Sequence, residues 1–187
     1  MSTAKEKLKA GEWISAWPDE TLKNELESAY KLCQRLNQLE RDSEDYKKTL
    51  VDLLGSIGEN TVVRAPFFVD YGYNIYIGSN SFVNYDCVFL DEAKINIGNR
   101  VWIGPGAHIY AVEHKTKPEE RAMERGVPVI VEDDVWIGGH ATILPGVKVG
   151  RGSLIGTGSV VTKNVEADSA VGGNPAIKLK SLSWGRI

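Results

Sequence analysis

Aliphatic residues recur every six positions through most of the chain beyond residue 57. The period restarts three times, and its members are Ile57, Val63, Val69; Ile77, Val83, Phe89; Ile97, Ile103, Ile109; and Val131, Ile137, Ile143, Val149, Ile155, Val161. A period of six fits neither an amphipathic helix nor an alternating strand. It is typical of a hexapeptide β-helix, in which each hexad supplies a short strand and a corner.

The interruptions of this period divide the chain into coils. Three hexads make one triangular coil, and the candidate coils are residues 57–74, 77–94, 97–114, 131–148 and 149–166. Two residues separate the first three coils (75–76 and 95–96), and a long irregular excursion, 115–130, precedes the fourth. No coil can bury its apolar face without its neighbours. The sequence therefore predicts a mainly β solenoid over residues 57–187, with a C-terminal tail at 167–187, rather than a sandwich of ordinary antiparallel strands.

Residues 1–56 have a helical pattern instead. Between Asp19 and Glu40, apolar side chains fall at helical spacing within a charged background; these are Leu22, Leu26, Tyr30, Cys33 and Leu36. Ser43 is a candidate N-cap for a second helix that ends near Gly55. Because so short a helical pair holds little core of its own, we expect it to pack on the first coils and cover their open strand edge. Edge protection and a contribution to substrate binding are both compatible with this position.

Composition and charge narrow the class of partner. The net charge is −3, and the Lys and Arg residues are scattered, which argues against a nucleic-acid surface. The chain has neither an apolar run of membrane-spanning length nor the apolar segment of a signal peptide at its N-terminus, so we expect no membrane association and a cytoplasmic location. Cys33 and Cys87 lack metal-binding spacing and are expected to be reduced structural thiols.

Three histidines are the candidates for acid–base or metal chemistry. His108 and His140 occupy outward hexad positions, where a solvated surface side chain is the usual case. The spacings of the three histidines include no short pair, and no cysteine cluster supports a zinc site. His114 differs because it directly precedes the excursion at 115–130, and long loops of this kind are usually functional. An imidazole there is a candidate general base.

Several segments of the chain resemble the maltose and galactoside O-acetyltransferases, including the nodulation-factor branch. They are DYGYNIYIG at 70–78, NYDCVFLDEAKINIG at 84–98, AHIYAVEH at 107–114, PVIVEDDVWIGGHATILPGVKVGRGSLIGTGSVVTKNV at 128–165, and VGGNPA at 171–176. The KLKAGEW stretch at 7–13 also resembles the helical segment that precedes the β-helix in that branch. Together these matches cover nearly the whole chain.

This resemblance implies a fold, an activity and an assembly. The fold would be a left-handed parallel β-helix, although the usual rule for parallel crossovers predicts the opposite hand. The activity would be transfer of acetyl from acetyl-CoA to a hydroxyl of a maltose-, glucose- or galactoside-like sugar, without a metal. The assembly would be a homotrimer with the acetyl-CoA sites between subunits.

The resemblance also implies roles on the acceptor side. His114 matches the base that removes a proton from the acceptor hydroxyl, and Asn84 matches an amide that orients this hydroxyl. Asp91 and Glu92 match an acidic pair near the sugar. Glu124 matches a loop position that is Glu in maltose-type and Met in galactoside-type sequences, which favours a maltose-like pocket.

On the coenzyme side, the matches fall in the last coils. Trp136 matches an aromatic residue beside the pantetheine arm, and Gly139 matches the backbone N–H that meets the carbonyl oxygen. Thr157, Thr162 and Lys163 match positions that line the coenzyme cleft.

Two departures from the family pattern concern binding. Ile177 stands where some members have an Arg that contacts the coenzyme phosphates, so Lys178 or Lys180 would have to substitute. An acidic substrate contact of the N-terminal segment falls near Ser15–Ala16, with Asp19 displaced by a few residues.

Other functions stay open from the residues alone. The chain shows no Ser-His-Asp arrangement, which favours direct transfer in a ternary complex over an acyl-enzyme. The same scaffold could acetylate an antibiotic, serine or an amino sugar, although the helical segment 1–56 argues against the first two. A third possibility is a solenoid that does not transfer acyl groups, either a zinc carbonic anhydrase or a binding scaffold without catalysis.

Overall fold

The chain winds into a parallel β-helix whose three walls are parallel sheets, which we call faces 1, 2 and 3. The computed structural model describes residues 2–15, 17, 19–41 and 43–183. Three helices come before the coils: α1 Ala4–Lys9, α2 Glu20–Leu36 and α3 Glu44–Leu53. Five full coils and part of a sixth follow, which confirms the predicted fold class.

Each coil contributes one short strand to each face. Face 1 contains β2 Ser56–Ile57, β5 Ile75–Ile77, β8 Ile95–Ile97, β13 Val129–Val131 and β16 Lys148–Val149. Face 2 contains β3 Val62–Val63, β6 Phe82–Val83, β9 Trp102–Ile103, β14 Trp136–Ile137, β17 Leu154–Ile155, β19 Ser169–Gly173 and the antiparallel β20 Ala176–Ser181. Face 3 contains β4 Phe67–Val69, β7 Cys87–Leu90, β10 His108–Tyr110, β15 Thr142–Ile143 and β18 Val160–Val161.

The hexad positions fill the prism as the period predicts. All predicted inward residues are buried except Ile57 and Val69 of the first coil, which are half-buried. Backbone pairing stacks them in register, so that Ile97 lies between Ile77 and Val131. Cys33 and Cys87, both within the described part of the chain, are buried and unpaired, and burial raises the pKa of the Cys87 thiol to about 11.

The helical cap covers the first coil. Asp19 and Ser43 cap α2 and α3, because their side chains accept from the N–H groups of Leu22 and Tyr46 at 3.0 and 3.2 Å. The buried sides of both helices join the same core as the inward residues of the first two coils. One predicted apolar position is wrong: Tyr30 is exposed, on the outer side of α2.

Two expectations about the interruptions are corrected. Residues 75–76 and 95–96 do not separate coils but belong to β5 and β8, and the additional length lies in the corners before these strands. The excursion is not irregular either. It forms a hairpin of β11 (Val112–His114) and β12 (Met123–Gly126), with a 3₁₀ turn at Pro118–Glu120 between them. Strand β1, Ile14–Ser15, adds to the hairpin as its third strand.

Asp91 holds the corner between faces 3 and 1 together. It is fully buried, and its carboxylate accepts from the backbone N–H groups of Tyr71 (2.8 Å), Gly72 (3.0 Å) and Asn74 (3.1 Å). Burial raises the pKa of Asp91 to about 6, while these bonds oppose the rise. The structure therefore assigns Asp91 to the packing of the first two coils, and not to a surface that a sugar could reach as the resemblance implied.

Replacing Asp91 by Ala should lower the free energy of unfolding by about 3 kcal/mol, because it leaves buried N–H groups without an acceptor. Since the pKa of Asp91 is raised in the folded protein, its stabilising contribution falls as pH rises from the ordinary carboxyl range through about 6. The deficit of Asp91→Ala should therefore be larger at pH 5 than at pH 7.5. Urea unfolding at one protein concentration measures both effects.

The control for this variant is Asp52→Ala, on the exposed side of α3. It should change the stability by no more than about 0.5 kcal/mol. Equal stabilities of the Asp91 and Asp52 variants would contradict the structural role of Asp91.

Candidate active site

The hairpin places His114 opposite a buried carboxyl group. His114 ends β11, and its partner in the antiparallel register is Glu124 in the middle strand β12. On the other side of Glu124 lies Ile14 of β1. Glu124 is only 9% exposed, whereas His114 is exposed. The N-terminal segment therefore forms part of the surroundings of the candidate base.

One nitrogen of the His114 ring is held by the backbone. Nδ1 lies 3.2 Å from the carbonyl oxygen of Arg121. Because a carbonyl oxygen can only accept, this contact places the proton on Nδ1 and leaves the lone pair on Nε2. The hairpin thus orients the imidazole in the form that a general base requires.

Carboxyl groups cluster around Tyr71, next to this hairpin. Burial raises the pKa of the Tyr71 phenol, and Glu92, Glu124 and Asp70 each raise it further. Glu92 is 8% exposed, and its Oε2 atom meets no hydrogen-bond donor among the described residues. Burial and the charge of Asp70 raise the pKa of Glu92 well above its usual range. Burial also raises the pKa of Glu124, which the nearby His114 partly offsets.

Asp70 is a further candidate for the site that the sequence did not suggest. Val69 pairs with Phe89, so Asp70 follows face 3 at the same corner as Glu92, one coil below. The signal was available in the order of the chain, since Asp70 directly follows β4 and Glu92 lies two residues beyond the end of β7, both of them strands of face 3. The resemblance drew attention to the DE pair at 91–92 and not to its neighbour in the preceding coil.

The base of the hairpin is fixed by Trp13. The ammonium of Lys115 and the guanidinium of Arg125 lie 4.5 and 4.8 Å from the centre of its ring, and Arg125 also pairs with Glu113 at 2.7 Å. These contacts tie the segment before β1 to both strands of the hairpin.

The N-terminal acidic contact that the resemblance implied is not visible here. Ser15 lies beside Met123 in the three-stranded sheet, and Asp19 serves as the N-cap of α2. Ala16 lies outside the described residues.

A second group of candidate residues lies along the edge where face 2 turns into face 3. Asn84, Gly139 and Thr157 occupy this edge in the second, fourth and fifth coils, and Trp136 lies beside it on face 2, 59% exposed. The Oδ1 atom of Asn84 accepts from the N–H of Tyr85 at 3.0 Å and from Arg64 at 3.4 Å. The Asn84 amide is therefore held with its NH₂ group available.

Gly139 has two properties that matter for an approaching acyl group. Among the described residues, its N–H has no hydrogen-bond acceptor, although the amides of Gly138 and His140 on either side are bonded. A Cβ at position 139 would also lie 3.0 Å from the carbonyl oxygen of Pro105, which is closer than most side chains tolerate. Both observations leave a backbone donor free at this edge.

A third group lies at the C-terminal end of the prism. Thr162 and Lys163 follow β18 on the edge between faces 3 and 1, and both are exposed. Lys163, Ile177 and Lys178 line a cavity of about 380 Å³ there, in which Lys178 pairs with Glu166 at 2.6 Å. Lysine ammonium groups are therefore present near the position where the family Arg is missing.

One chain does not bring these groups together. Asn84 and Gly139 precede the strands of face 3, whereas His114 and Lys163 follow them. A strand of face 3 has two to four residues, and four residues span about 13 Å. The candidate base and the candidate amide thus lie on opposite edges of the same face.

The remaining histidines occupy separate environments. Nδ1 of His108 lies 2.6 Å from the hydroxyl of Tyr110, and His140 sits at a corner with a positive φ of 55°. In the described part of the chain, no three His, Cys, Asp or Glu side chains are grouped so that they could hold a metal ion. None of the described helices is both long and apolar enough to cross a membrane.

Comparison with known proteins places this geometry in a family. Residues 128–163 match the family model described as bacterial transferase hexapeptide (six repeats). Nodulation protein L of Rhizobium meliloti is 42% identical over 93% of this chain and 96% of its own. A maltose O-acetyltransferase structure from Clostridium difficile has a TM-score of 0.93 and 39% identity, and covers 98% of this chain and 99% of its own.

A third relative has the coenzyme bound. The hexapeptide-repeat acetyltransferase of Vibrio cholerae in complex with acetyl-CoA has a TM-score of 0.89 and 34% identity, and covers 98% of this chain and all of its own. These similarities extend over the helical cap, the hairpin and all the coils. The chain therefore belongs to the hexapeptide-repeat acetyltransferases and is an acetyl-CoA-dependent enzyme of the maltose, galactoside and nodulation-factor group.

Proposed function

We propose that the protein transfers the acetyl group of acetyl-CoA directly to a hydroxyl of a maltose-, glucose- or galactoside-like sugar. The observation that carries this proposal is the contact of His114 Nδ1 with the carbonyl oxygen of Arg121, which leaves the lone pair on Nε2 for use as a base. The name of the Clostridium relative, a maltose O-acetyltransferase, supports a sugar as the acceptor.

The chemistry requires one group that accepts a proton and one hydrogen-bond donor to the oxyanion. A sugar hydroxyl keeps its proton at neutral pH and is a poor nucleophile. His114 Nε2 takes this proton while the oxygen forms a bond to the acetyl carbonyl carbon, and the proton then passes to the thiolate that leaves when the C–S bond breaks. General base catalysis of this kind contributes a factor of about 10²–10⁴.

The free N–H of Gly139 is the candidate donor to the developing oxyanion. One such donor contributes about 3–4 kcal/mol in comparable sites. Asn84 would orient the acceptor hydroxyl through its NH₂ group, since its oxygen is already bound by Tyr85 and Arg64. Glu92 and Glu124 would receive hydrogen bonds from other hydroxyls of the sugar.

The coenzyme would lie between two edges of the prism. Trp136 and Thr157 on one edge would contact the pantetheine arm, and Thr162 and Lys163 on the other would contact the remainder of the coenzyme. Lys178 would supply positive charge in place of the missing Arg. Its ion pair with Glu166 is exposed, and breaking it therefore costs little free energy.

These roles fit a homotrimer with shared sites. Asn84 and His114 lie on opposite edges of face 3, so they would meet only if one edge of a subunit faced the other edge of its neighbour. A heterologous contact of this kind closes into a ring when the rotation between subunits permits it. The trimer that the resemblance implies would satisfy this condition.

His114→Ala should lower kcat by about 10²–10⁴ because it removes the proton acceptor, and should leave acetyl-CoA affinity within about twofold. The measurement is release of free thiol from acetyl-CoA with glucose, maltose and a galactoside, alongside calorimetric binding of the coenzyme. Glu119→Ala, exposed at the tip of the same hairpin, is the matched control and should keep its activity. Lost coenzyme affinity in the His114 variant would make His114 a structural residue instead, and turnover of an antibiotic or amine alone would reassign the acceptor.

Mixing two inactive variants tests the shared site. His114→Ala and Asn84→Ala subunits, unfolded together and refolded as a mixture, should regain about a quarter of wild-type activity, because random assembly gives one interface in four with both residues intact. Each variant refolded alone should stay inactive. If both residues served the same site from one chain, the mixture would recover nothing.

A further inference from the structure

Arg64 is a half-buried cation directly beside Asn84, the candidate amide of the acceptor site. It follows β3 of the first coil as Asn84 follows β6 of the second, and the pairing of Val63 with Val83 stacks the two residues on one edge of the prism. The Nη1 atom of Arg64 donates to Oδ1 of Asn84 at 3.4 Å. The backbone ladder thus brings a guanidinium group to the oxygen of this amide.

Two aromatic rings hold the guanidinium of Arg64 in place. Its central carbon lies 4.9 Å from the centre of the Phe82 ring and 5.7 Å from that of the Tyr85 ring. Phe82 packs in turn against Trp102 on face 2, with the ring centres 5.5 Å apart. Cation–π contacts of this kind position a guanidinium group without neutralising its charge.

No carboxylate neutralises this charge within the described part of the chain. Arg100 and Arg125 each pair with a carboxylate, whereas Arg64 pairs with none among the described residues. The Nε atom of Arg64 is also buried without an acceptor from these residues. An unpaired charge and a buried donor both cost folding free energy, so packing alone does not account for an arginine at this position.

The contact with Arg64 determines what Asn84 can offer to an acceptor. Oδ1 of Asn84 accepts from the backbone N–H of Tyr85 at 3.0 Å as well as from Arg64, and neither of these donors can accept in return. The amide oxygen is therefore turned toward Arg64, which leaves the NH₂ group for another partner. A cation bound to the oxygen of an amide polarises the amide and makes its N–H groups stronger donors.

We propose that Arg64 is a positioning residue for the acceptor hydroxyl and acts through Asn84. It holds the amide in one orientation, and its charge strengthens the hydrogen bond that the NH₂ group donates to the acceptor oxygen while the hydroxyl proton is removed. The inference rests on the proposed sugar acetylation and on the role that this function gives to Asn84.

The first test compares variants that keep or lose the charge of Arg64. Arg64→Met keeps an unbranched side chain between the two rings and should lower kcat with glucose or maltose by about tenfold, because a hydrogen bond from a charged group is lost. It should leave the KM of acetyl-CoA within about twofold, since the coenzyme lies on the other side of Asn84. Arg64→Lys keeps the charge and should lose less activity than Arg64→Met. The matched control is Arg35→Met, on the exposed side of α2, which should keep the wild-type rate.

A double-variant cycle separates action through Asn84 from a merely structural effect. Asn84→Ser retains a hydroxyl donor but lacks the amide oxygen that Arg64 binds, and its lower rate is measured at raised enzyme concentration. If Arg64 acts through this oxygen, adding Arg64→Met to Asn84→Ser should lower kcat by no more than about twofold. Thermal unfolding of each variant verifies that it is folded.

Chemical rescue provides a second measurement that a loss of packing would not produce. Arg64 and Tyr85 line a cavity of about 330 Å³, through which a small cation can reach the vacated position. Methylguanidinium, below the concentrations that unfold the protein, should restore part of the rate of Arg64→Ala. It should restore nothing when Asn84→Ser is also present.

The outcomes distinguish this proposal from the proposed function. A wild-type rate in folded Arg64→Met, an equal loss in the Asn84→Ser protein, or failure of methylguanidinium to restore Arg64→Ala would overturn the role of Arg64 and leave sugar acetylation intact. Absence of turnover by the wild type with every sugar would overturn the proposed function and the role that rests on it.

Discussion

Parallel backbone pairing between successive coils determines where the candidate functional groups on the coils lie, and it fixes the corner from which the hairpin with His114 leaves. Because each strand is paired with the one before it, a residue at a corner is stacked over its equivalent in the preceding coil. This stacking places Asp70, directly after β4, at the corner that holds Asp91 and Glu92 in the next coil, and it aligns Asn84 with the edge that carries Gly139. The inward aliphatic residues hold this register, since a slip would expose them. The helical cap packs on the first coil and covers its open end.

The parts of the structure that depend on local pattern could be predicted from the sequence. The inward hexad positions and the caps Asp19 and Ser43 are examples, because a repeated six-residue spacing or a capping side chain needs no distant partner. The hairpin sheet could not be predicted in the same way. Its third strand, Ile14–Ser15, pairs with residues more than a hundred positions away, and two-residue strands have no pattern of their own.

The direction of side chains at the corners also could not be predicted from the sequence. The acidic residues at 91 and 92 look equivalent in the sequence, yet the backbone turns so that Asp91 accepts from several N–H groups, while Oε2 of Glu92 meets no donor among the described residues. Which of two adjacent residues faces a pocket depends on the corner geometry, which the period does not determine. The position of His114 was predicted from its place before the excursion, but its orientation depends on the carbonyl of Arg121, seven residues further along.

The candidate groups around His114 differ in burial and charge from those on the coenzyme side. On the histidine side, the carboxyl groups of Glu92, Glu124 and Asp70 lie near enough to Tyr71 to raise the pKa of its buried phenol, and buried carboxyl groups of this kind are typical of functional sites. On the coenzyme side, the groups are exposed lysines, threonines and an unbound backbone N–H, whose conformations cost little to hold. The N-terminal strand joins the first of these regions, so the cap both closes the prism and contributes a wall beside Glu124.

The hairpin leaves and rejoins the prism at one corner without disturbing the ladder. Ile75 pairs with Ile95 across a coil of ordinary length, and Ile95 pairs with Val129 in the same way although the hairpin lies between them. The hairpin that carries His114 and Glu124 is therefore an insertion whose length can change without altering the register of the coils on either side.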